Sequence, residues 1–233
     1  MSTKPDEGDR SANYRQHSLP VPRNRIAHGD CSQRLKSLPD GAVDLVLTDP
    51  PYICHYRSRD GRRVVNDDNE DWLVPAFAEV ARVLKSGRFA ISFYGWSAVE
   101  KFVEAWRSVG LRPVGHIVFR KHYASSTRFL RYEHEQAFLL AKGRPNLPAQ
   151  TIADMIDWPR YTGNRRHPTE KPIEILSPLI EAFSNPGDIV LDPFCGSGST
   201  LEAAHLCGRA FLGVELDPDH FRTASGRMGL AAW

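Results

Sequence analysis

Thr48-Asp49-Pro50-Pro51-Tyr52 gathers a carboxylate, two stiff carbonyls and an aromatic ring into five residues. The stretch follows Val43-Asp44-Leu45-Val46-Leu47, an apolar and β-branched run that reads as a buried strand of a parallel sheet. Pro50 and Pro51 stop that strand and offer no backbone N–H to pair. What results is a rigid strand-end loop presenting hydrogen-bond acceptors in fixed directions beside a stacking surface. Asp-Pro pairs also serve merely to end strands. Asp49, Pro50, Pro51 and Tyr52 together, directly after a strand, are the more specific signal.

A second loop, Asp192-Pro193-Phe194-Cys195-Gly196-Ser197-Gly198-Ser199-Thr200, is a glycine-rich strand-to-helix turn. Gly196 and Gly198 permit a tight turn and close approach of a ligand to the backbone. Glu215 ends the next apolar run, where a carboxylate can bind ribose hydroxyls. Three ligands compete for such a turn. A phosphate-cradling loop needs Gly-Lys-Ser/Thr, and no lysine is present. A dinucleotide fingerprint needs a third glycine, but Leu201 follows Thr200. A nucleoside without phosphates, such as S-adenosylmethionine, needs only the turn and the ribose carboxylate.

The elements that must position these loops alternate along the chain. Residues 1–23 are polar and aperiodic and are expected to be a flexible tail, leaving 24–233 as one domain. Arg25–His28 is a predicted strand ending at Gly29-Asp30, and Ser32–Leu38 is helix-like. After the Asp49 loop, an arginine-rich and then acidic segment through Asp71 is expected to be a mobile loop over the site. A helix with Leu73, Phe77, Val80, Ala81 and Leu84 inward is predicted to stop at Lys85-Ser86-Gly87. Phe89–Tyr94 is a predicted strand. Ser97 and Glu100 have capping-box spacing before a helix that ends at Gly110. Two more strands fall at 114–119 and 136–141, and residues 142–167 show little periodicity. Pro172 opens a helix, Ile189–Asp192 is a strand, Ser199–Cys207 a helix, Ala210–Glu215 a strand, and Asp217-Pro218 opens the last helix. Alternating strands and helices imply an open, mostly parallel α/β sheet with its sites at the strands' carboxyl ends.

The 233 residues are enough for a sizeable core, and their net charge of +2 implies nothing by itself. No apolar run approaches the roughly 20 residues of a membrane span, and the N-terminus has no signal-peptide pattern. The cytoplasm is the expected compartment, with no membrane partner. Four cysteines and nine histidines form no CxxC or HExxH spacing, so neither a disulfide framework nor a metal site is expected. Basic residues cluster in three loops: Arg57, Arg59, Arg62 and Arg63; then Arg120, Lys121, Arg128 and Arg131; then Arg160, Arg165, Arg166 and Lys171. Aromatic residues, among them Tyr56, Tyr123, Phe129, Tyr132 and Tyr161, lie between them. One charge run is usually a solvated face; three aromatic-laced runs fit a polyanion partner better.

Asp-Pro-Pro-Tyr followed much later by Asp-Pro-Phe-Cys-Gly-Ser-Gly resembles the β-class amino DNA methyltransferases, from about Ile26 to Asp219. Gly29-Asp30 resembles the family's cofactor-adenine strand end. Arg131-Tyr132-Glu133-His134-Glu135 with Leu139–Gly143 resembles its basic–His-Glu–apolar–Lys-Gly segment. His167-Pro168-Thr169-Glu170-Lys171-Pro172 matches the stretch before the cofactor loop, with glutamate at 170 where glutamine is common. The resemblance implies a Rossmann-like methyltransferase fold with a mostly parallel seven-stranded sheet, one antiparallel strand and a circularly permuted motif order. It implies S-adenosylmethionine as cofactor, held by Asp30, Asp49, His167, Thr169, Lys171, Asp192, Phe194, Gly196, Ser197, Gly198, Ser199, Thr200 and Glu215. The expected partner is double-stranded DNA, contacted by Arg57, Arg59, Arg62, Arg63, Lys121, Arg128, Arg131, Arg165 and Arg166. The target-recognition region, about 121–166, is small, and a homodimer is one way to supply missing contacts.

The chemistry implied is methyl transfer to an exocyclic amine of a flipped base. That amine is a poor nucleophile because its lone pair is delocalised into the ring. Asp49 and the Pro50 carbonyl would accept its two N–H bonds, Pro51 would stiffen the loop, and Tyr52 would stack on the base. Asp49 favours adenine N6. The alternatives are cytosine N4, RNA adenine, and a non-catalytic DNA-binding protein.

Overall fold

The apolar runs become strands, and the amphipathic runs between them become helices on both faces of one sheet. The computed structural model describes residues 20–55, 64–124, 129–159 and 171–230. In chain order they form β1 (Arg25–His28), α1 (Cys31–Arg34), β2 (Val43–Thr48), α2 (Leu73–Val83), β3 (Leu84–Phe93), α3 (Val99–Ser108) and β4 (Leu111–Arg120). There follow β5 (His134–Lys142), β6 (Met155–Asp157), α4 (Ile173–Phe183), β7 (Ile189–Asp192), α5 (Ser199–Leu206), β8 (Ala210–Glu215) and α6 (Pro218–Arg227). The sheet order is β1-β8-β7-β2-β3-β5-β4-β6. Only β5 runs against its neighbours, β3 and β4; the other pairings are parallel.

Strand alternation divides the core in two. Val43 and Val46 of β2 join a cluster with Phe77 and Val80 of α2 and Phe102 and Trp106 of α3. Leu45 and Leu47 of the same strand join the opposite cluster, with Leu176 and Leu179 of α4, Leu201 of α5 and Phe221 of α6. Leu45, Val46 and Leu47 alternate with a two-residue period that buries both faces of this central parallel strand, while Val43 joins the face of Val46 across a register shift between Val43 and Leu45. Trp106 is fully buried and meets the rings of Phe77, Phe102, Tyr94 and Phe138, fixing α3 on the sheet. Such ring pairs add about 0.5–1.5 kcal/mol each beyond burial.

Several expectations are corrected. Among the described residues the sheet has eight strands, not seven: β6, in the aperiodic region, pairs in parallel with Val118–Arg120 of β4. Three residues are too few to show a period. Leu84 belongs to β3, opposite Val43, because its backbone is already extended at the end of α2. The Ser97–Glu100 capping box does not form; Trp96–Ala98 makes a 3-10 turn and Ala98 precedes α3 without a side-chain cap. That turn leaves Ser97 one residue short of the capping position, which Ala98 takes. Residues 1–19 of the expected tail lie outside the described residues. Val21 packs on the core and Arg23 donates to the Gly187 carbonyl at 3.0 Å, so the folded chain begins before residue 24.

Candidate active site at the strand ends

Because β1, β8, β7 and β2 are parallel neighbours, Asp30, Glu215, Asp192 and Asp49 stand in a row at one edge of the sheet. Adjacent strands are about 4.8 Å apart, so these carboxylates share one cleft. β2 leads through α2 to β3 on one side, and β7 leads through α5 to β8 on the other. The gap between β2 and β7 is thus the switch point at which open α/β sheets bind ligands. Thr48 Oγ1 closes it by donating to Asp192 Oδ1 at 2.8 Å, tying the two predicted loops together.

The Asp49 loop is held from three directions. Asp67, buried in the acidic segment, accepts the Tyr52 backbone N–H at 2.8 Å and that of Cys54 at 3.4 Å. That residue anchors the loop, contrary to the expectation that the whole segment would be mobile. Ile53 and His55 take left-handed backbone angles, φ 56° and 54°, unusual for residues with a Cβ. Gly95 lies directly against Tyr52: a Cβ there would stand 2.3 Å from the Tyr52 carbonyl oxygen. Gly95→Ala should push the loop aside. A displacement of about 1 Å can cost a site ~100-fold in rate. We expect kcat to fall by about that factor while cofactor affinity, measured by calorimetry, stays near its normal value.

Behind the loop lies a chain of five polar groups. Lys171 Nζ donates to Asp49 Oδ2 at 2.5 Å. The Tyr52 hydroxyl lies 2.8 Å from Asp49 Oδ1 and 3.1 Å from Glu135 Oε2. Lys121 Nζ donates to Glu135 Oε1 at 2.5 Å. Lys171 Nζ also stands over the Phe93 and Tyr52 rings, 4.8 and 5.5 Å from their centroids. Burial disfavours the Lys171 ammonium, but the carboxylates of Asp49 and Glu135 outweigh it and hold its pKa above the ordinary lysine value. Burial likewise opposes the Glu135 carboxylate, and Lys171 and Lys121 overcome it, lowering its pKa. Burial, with the charges of Asp49 and Glu135, keeps Tyr52 protonated well above its usual range. Two cations and two anions therefore balance around a neutral phenol.

On the cofactor side, Glu215 Oε2 accepts the Gly196 N–H at 2.7 Å and Oε1 the Asp217 N–H at 2.8 Å. Gly196 and Gly198 have φ of +52° and +88°, so the turn needs glycine at both positions. Asp30 caps α1, accepting from the backbone and hydroxyl of Ser32, and is exposed at the rim. Phe194 and Ser197 are half-buried at the turn. Ser199 and Thr200 are buried and tied inward, Ser199 by Arg227 at 3.0 Å and Thr200 by Asp192. The Cys195 thiol is buried and held protonated well above its usual range, which removes it as a nucleophile.

Burial raises the Asp192 carboxyl to about 7, despite hydrogen bonds from Thr48, Thr200 and the Phe194 N–H. An acid whose folded pKa lies above its unfolded value binds a proton on folding. Its contribution is therefore fully present below the unfolded pKa and is lost as pH rises through about 7. We expect Asp192→Asn to flatten the decline in Tm between about pH 4 and 7, read by circular dichroism.

Most expected site residues come together here, but not all as expected. Lys171 faces Asp49 rather than the glycine turn. Lys121 is removed from the expected DNA-contacting set, since it is 7% exposed and paired with Glu135 beneath the Trp158 ring. Arg131 is exposed and pairs with Glu133. Arg57, Arg59, Arg62, Arg63, Arg128, Arg165, Arg166, His167 and Thr169 lie outside the described residues. Glu135 and Asp67 had been given no site role. β5 runs antiparallel, so its first residues rather than its last reach the site edge, a signal that would have pointed to Glu135. Among the described residues, no group of three or more His, Cys, Asp or Glu side chains converges as a metal site, and no helix is long and apolar enough to cross a membrane.

A strand-end carboxylate loop beside a glycine turn, joined through Thr48 and Asp192, is the arrangement of an enzyme that brings a nucleoside cofactor to a second substrate. The chain belongs to the DNA methylase family, whose N6/N4 amino-methylase model matches residues 43–226. Over 88% of its length it is 47% identical to YubD of Escherichia coli (strain K12), covering 90% of that protein. It is 30% identical to the DNA adenine methyltransferase YhdJ of the same strain, over 89% of this chain and 83% of that one. TTHA0409 of Thermus thermophilus, solved in complex with S-adenosylmethionine, superposes with a TM-score of 0.68 at 25% identity, covering 88% of this chain and 93% of that chain. The cytosine-N4-specific PvuII methyltransferase shares the fold, with a TM-score of 0.72 at 16% identity over 89% of this chain and 86% of its own.

Proposed function

We propose that the protein transfers a methyl group from S-adenosylmethionine to N6 of adenine in double-stranded DNA, acting on a base flipped out of the duplex. The observation that carries this reading is the Thr48–Asp192 bond, which sets the Asp49-Pro50-Pro51-Tyr52 loop against the glycine turn. The residues fit the cofactor. Glu215 meets only backbone N–H donors among its recorded bonds, and a carboxylate has further acceptor positions for ribose hydroxyls. Asp30 stands exposed at the neighbouring strand end, and the turn carries no lysine for phosphates. When bound, the cofactor supplies an electrophilic methyl group.

The remaining work falls to the chain. Asp49 and the Pro50 carbonyl accept the two N–H bonds of the adenine amine, localising its lone pair and stabilising the positive charge that develops on nitrogen. Pro50 and Pro51 hold those acceptors in place, so little reorganisation accompanies the reaction. Tyr52 stacks on the flipped base and offsets part of its unstacking cost. Trp96 is 61% exposed and stacks on Tyr132, centroids 5.9 Å apart, two residues beyond Tyr94 on the same side as the loop. We assign the DNA contacts to the 121–166 region, with exposed Arg131 and the arginines at 57, 59, 62, 63, 128, 165 and 166, in the cytoplasm and with a homodimer extending the surface. Adenine is preferred over cytosine N4 because Asp stands first in the loop and because YhdJ is named for adenine.

Single-molecule sequencing of DNA from cells making the protein tests this reading. Modified adenines should recur in one short sequence, and should vanish with the Asp49→Ala variant. Identical DNA from both would refute it.

A further inference from the structure

Asp49 faces a conflict. Its Oδ2 already accepts from the Lys171 ammonium and its Oδ1 lies 2.8 Å from the Tyr52 hydroxyl; each oxygen keeps a second lone pair, but an oxygen already drawn on by a donor is a weaker acceptor for the substrate amine that the proposed reaction brings. A buried hydroxyl deprived of its acceptor costs about 1–3 kcal/mol, which would oppose substrate entry. Glu135 removes the conflict. Its Oε2 lies 3.1 Å from the same hydroxyl, on a carboxylate held at its other oxygen by Lys121. The phenol has a single proton, so it donates to one carboxylate at a time. Turning the O–H bond passes that proton's hydrogen bond from Asp49 to Glu135 with no heavy atom moving.

We infer that Glu135 is a positioning residue that acts through Tyr52: it is the alternate acceptor that releases Asp49 Oδ1 to the target amine, and Lys121 fixes it in register for that exchange. The role rests on the methyl-transfer function proposed above. Neither residue touches the substrate. The arrangement also explains why a lysine in a basic, aromatic loop is buried instead of meeting phosphate.

Glu135→Gln is the discriminating substitution. Lys121 can only donate, so the amide oxygen turns to it and the amide NH2 faces the Tyr52 oxygen. The hydroxyl then keeps Asp49 as its only acceptor, and the buried lysine keeps a partner. In the otherwise unsubstituted enzyme, E135Q should lower kcat about 10- to 100-fold, the equivalent of one charge-assisted hydrogen bond. Cofactor affinity should stay close to normal, while the circular dichroism melt should fall by a similar amount with or without the Tyr52 hydroxyl, because two buried lysines are left facing a single carboxylate. In a Tyr52→Phe background there is no hydroxyl to redirect, so adding E135Q should change kcat less than about twofold, whatever Tyr52→Phe itself does. An equal loss of kcat from E135Q in both backgrounds, or no loss in either, overturns the role of Glu135 while leaving the proposed function standing. Absence of methyl transfer to DNA by the unsubstituted protein overturns both.

Discussion

Asp49→Ala should abolish methyl transfer, lowering the rate at least about 1,000-fold, while S-adenosylmethionine binds nearly as before. Removing one preorganised group that meets developing charge costs about 100- to 1,000-fold in comparable sites. Here the same carboxylate also fixes Lys171 and one side of the Tyr52 hydroxyl, so its loss disturbs all three. The phenol falls back on Glu135, 3.1 Å away. Lys171 keeps the attraction of Glu135 and a 3.3 Å bond to the Tyr52 hydroxyl but loses its direct carboxylate partner. Combining the change with Lys171→Met removes that buried ammonium, separating a folding defect from a catalytic one. The Glu215 side of the cleft is untouched, which is why cofactor affinity should survive. Labelled-methyl incorporation into DNA measures the rate and calorimetry the affinity. Incorporation near the normal rate would remove Asp49 from the reaction.

Glu215→Ala should have the opposite signature, with cofactor binding about 100-fold weaker. Two effects add. The ribose hydroxyls lose a charged acceptor, and hydrogen bonds to charged groups are worth about 1.5–3 kcal/mol each. The Gly196 and Asp217 N–H groups, now 2.7 and 2.8 Å from the carboxylate, lose the partner that shapes the turn before any ligand arrives. At saturating cofactor the rate should recover in large part, since the Asp49 loop is held separately by Asp67 and Gly95. Unchanged affinity by calorimetry would show that Glu215 merely shapes the turn.

These paired signatures follow from loops that were legible in the chain because their chemistry is local. Two prolines end β2 whatever surrounds them, and glycines at 196 and 198 dictate a tight turn from their own backbone angles. The bounds of β1, β7 and β8 agree with the sequence reading for the same reason: a short apolar run between turn residues needs no partner to be recognised. Features that depend on distant partners were not legible. Lys121 looks like a phosphate contact until Glu135, from the next strand, and Trp158, just beyond β6, bury it. Asp67 sits in an acidic run that reads as a mobile loop over the site, but the Asp49 loop needs an acceptor for its backbone N–H groups and finds it there. Ser97 and Glu100 have the spacing of a cap, but the chain must first pass Gly95 over Tyr52 and turn tightly, so the helix begins beyond Ser97.

The central claim is tested most directly by identifying the product. Unmethylated duplex DNA is incubated with the protein and isotope-labelled S-adenosylmethionine, digested to nucleosides and resolved by chromatography and mass spectrometry. Label in N6-methyldeoxyadenosine, absent with Asp49→Ala, is the expected result. Label in N4-methyldeoxycytidine, or in no nucleoside, would contradict it.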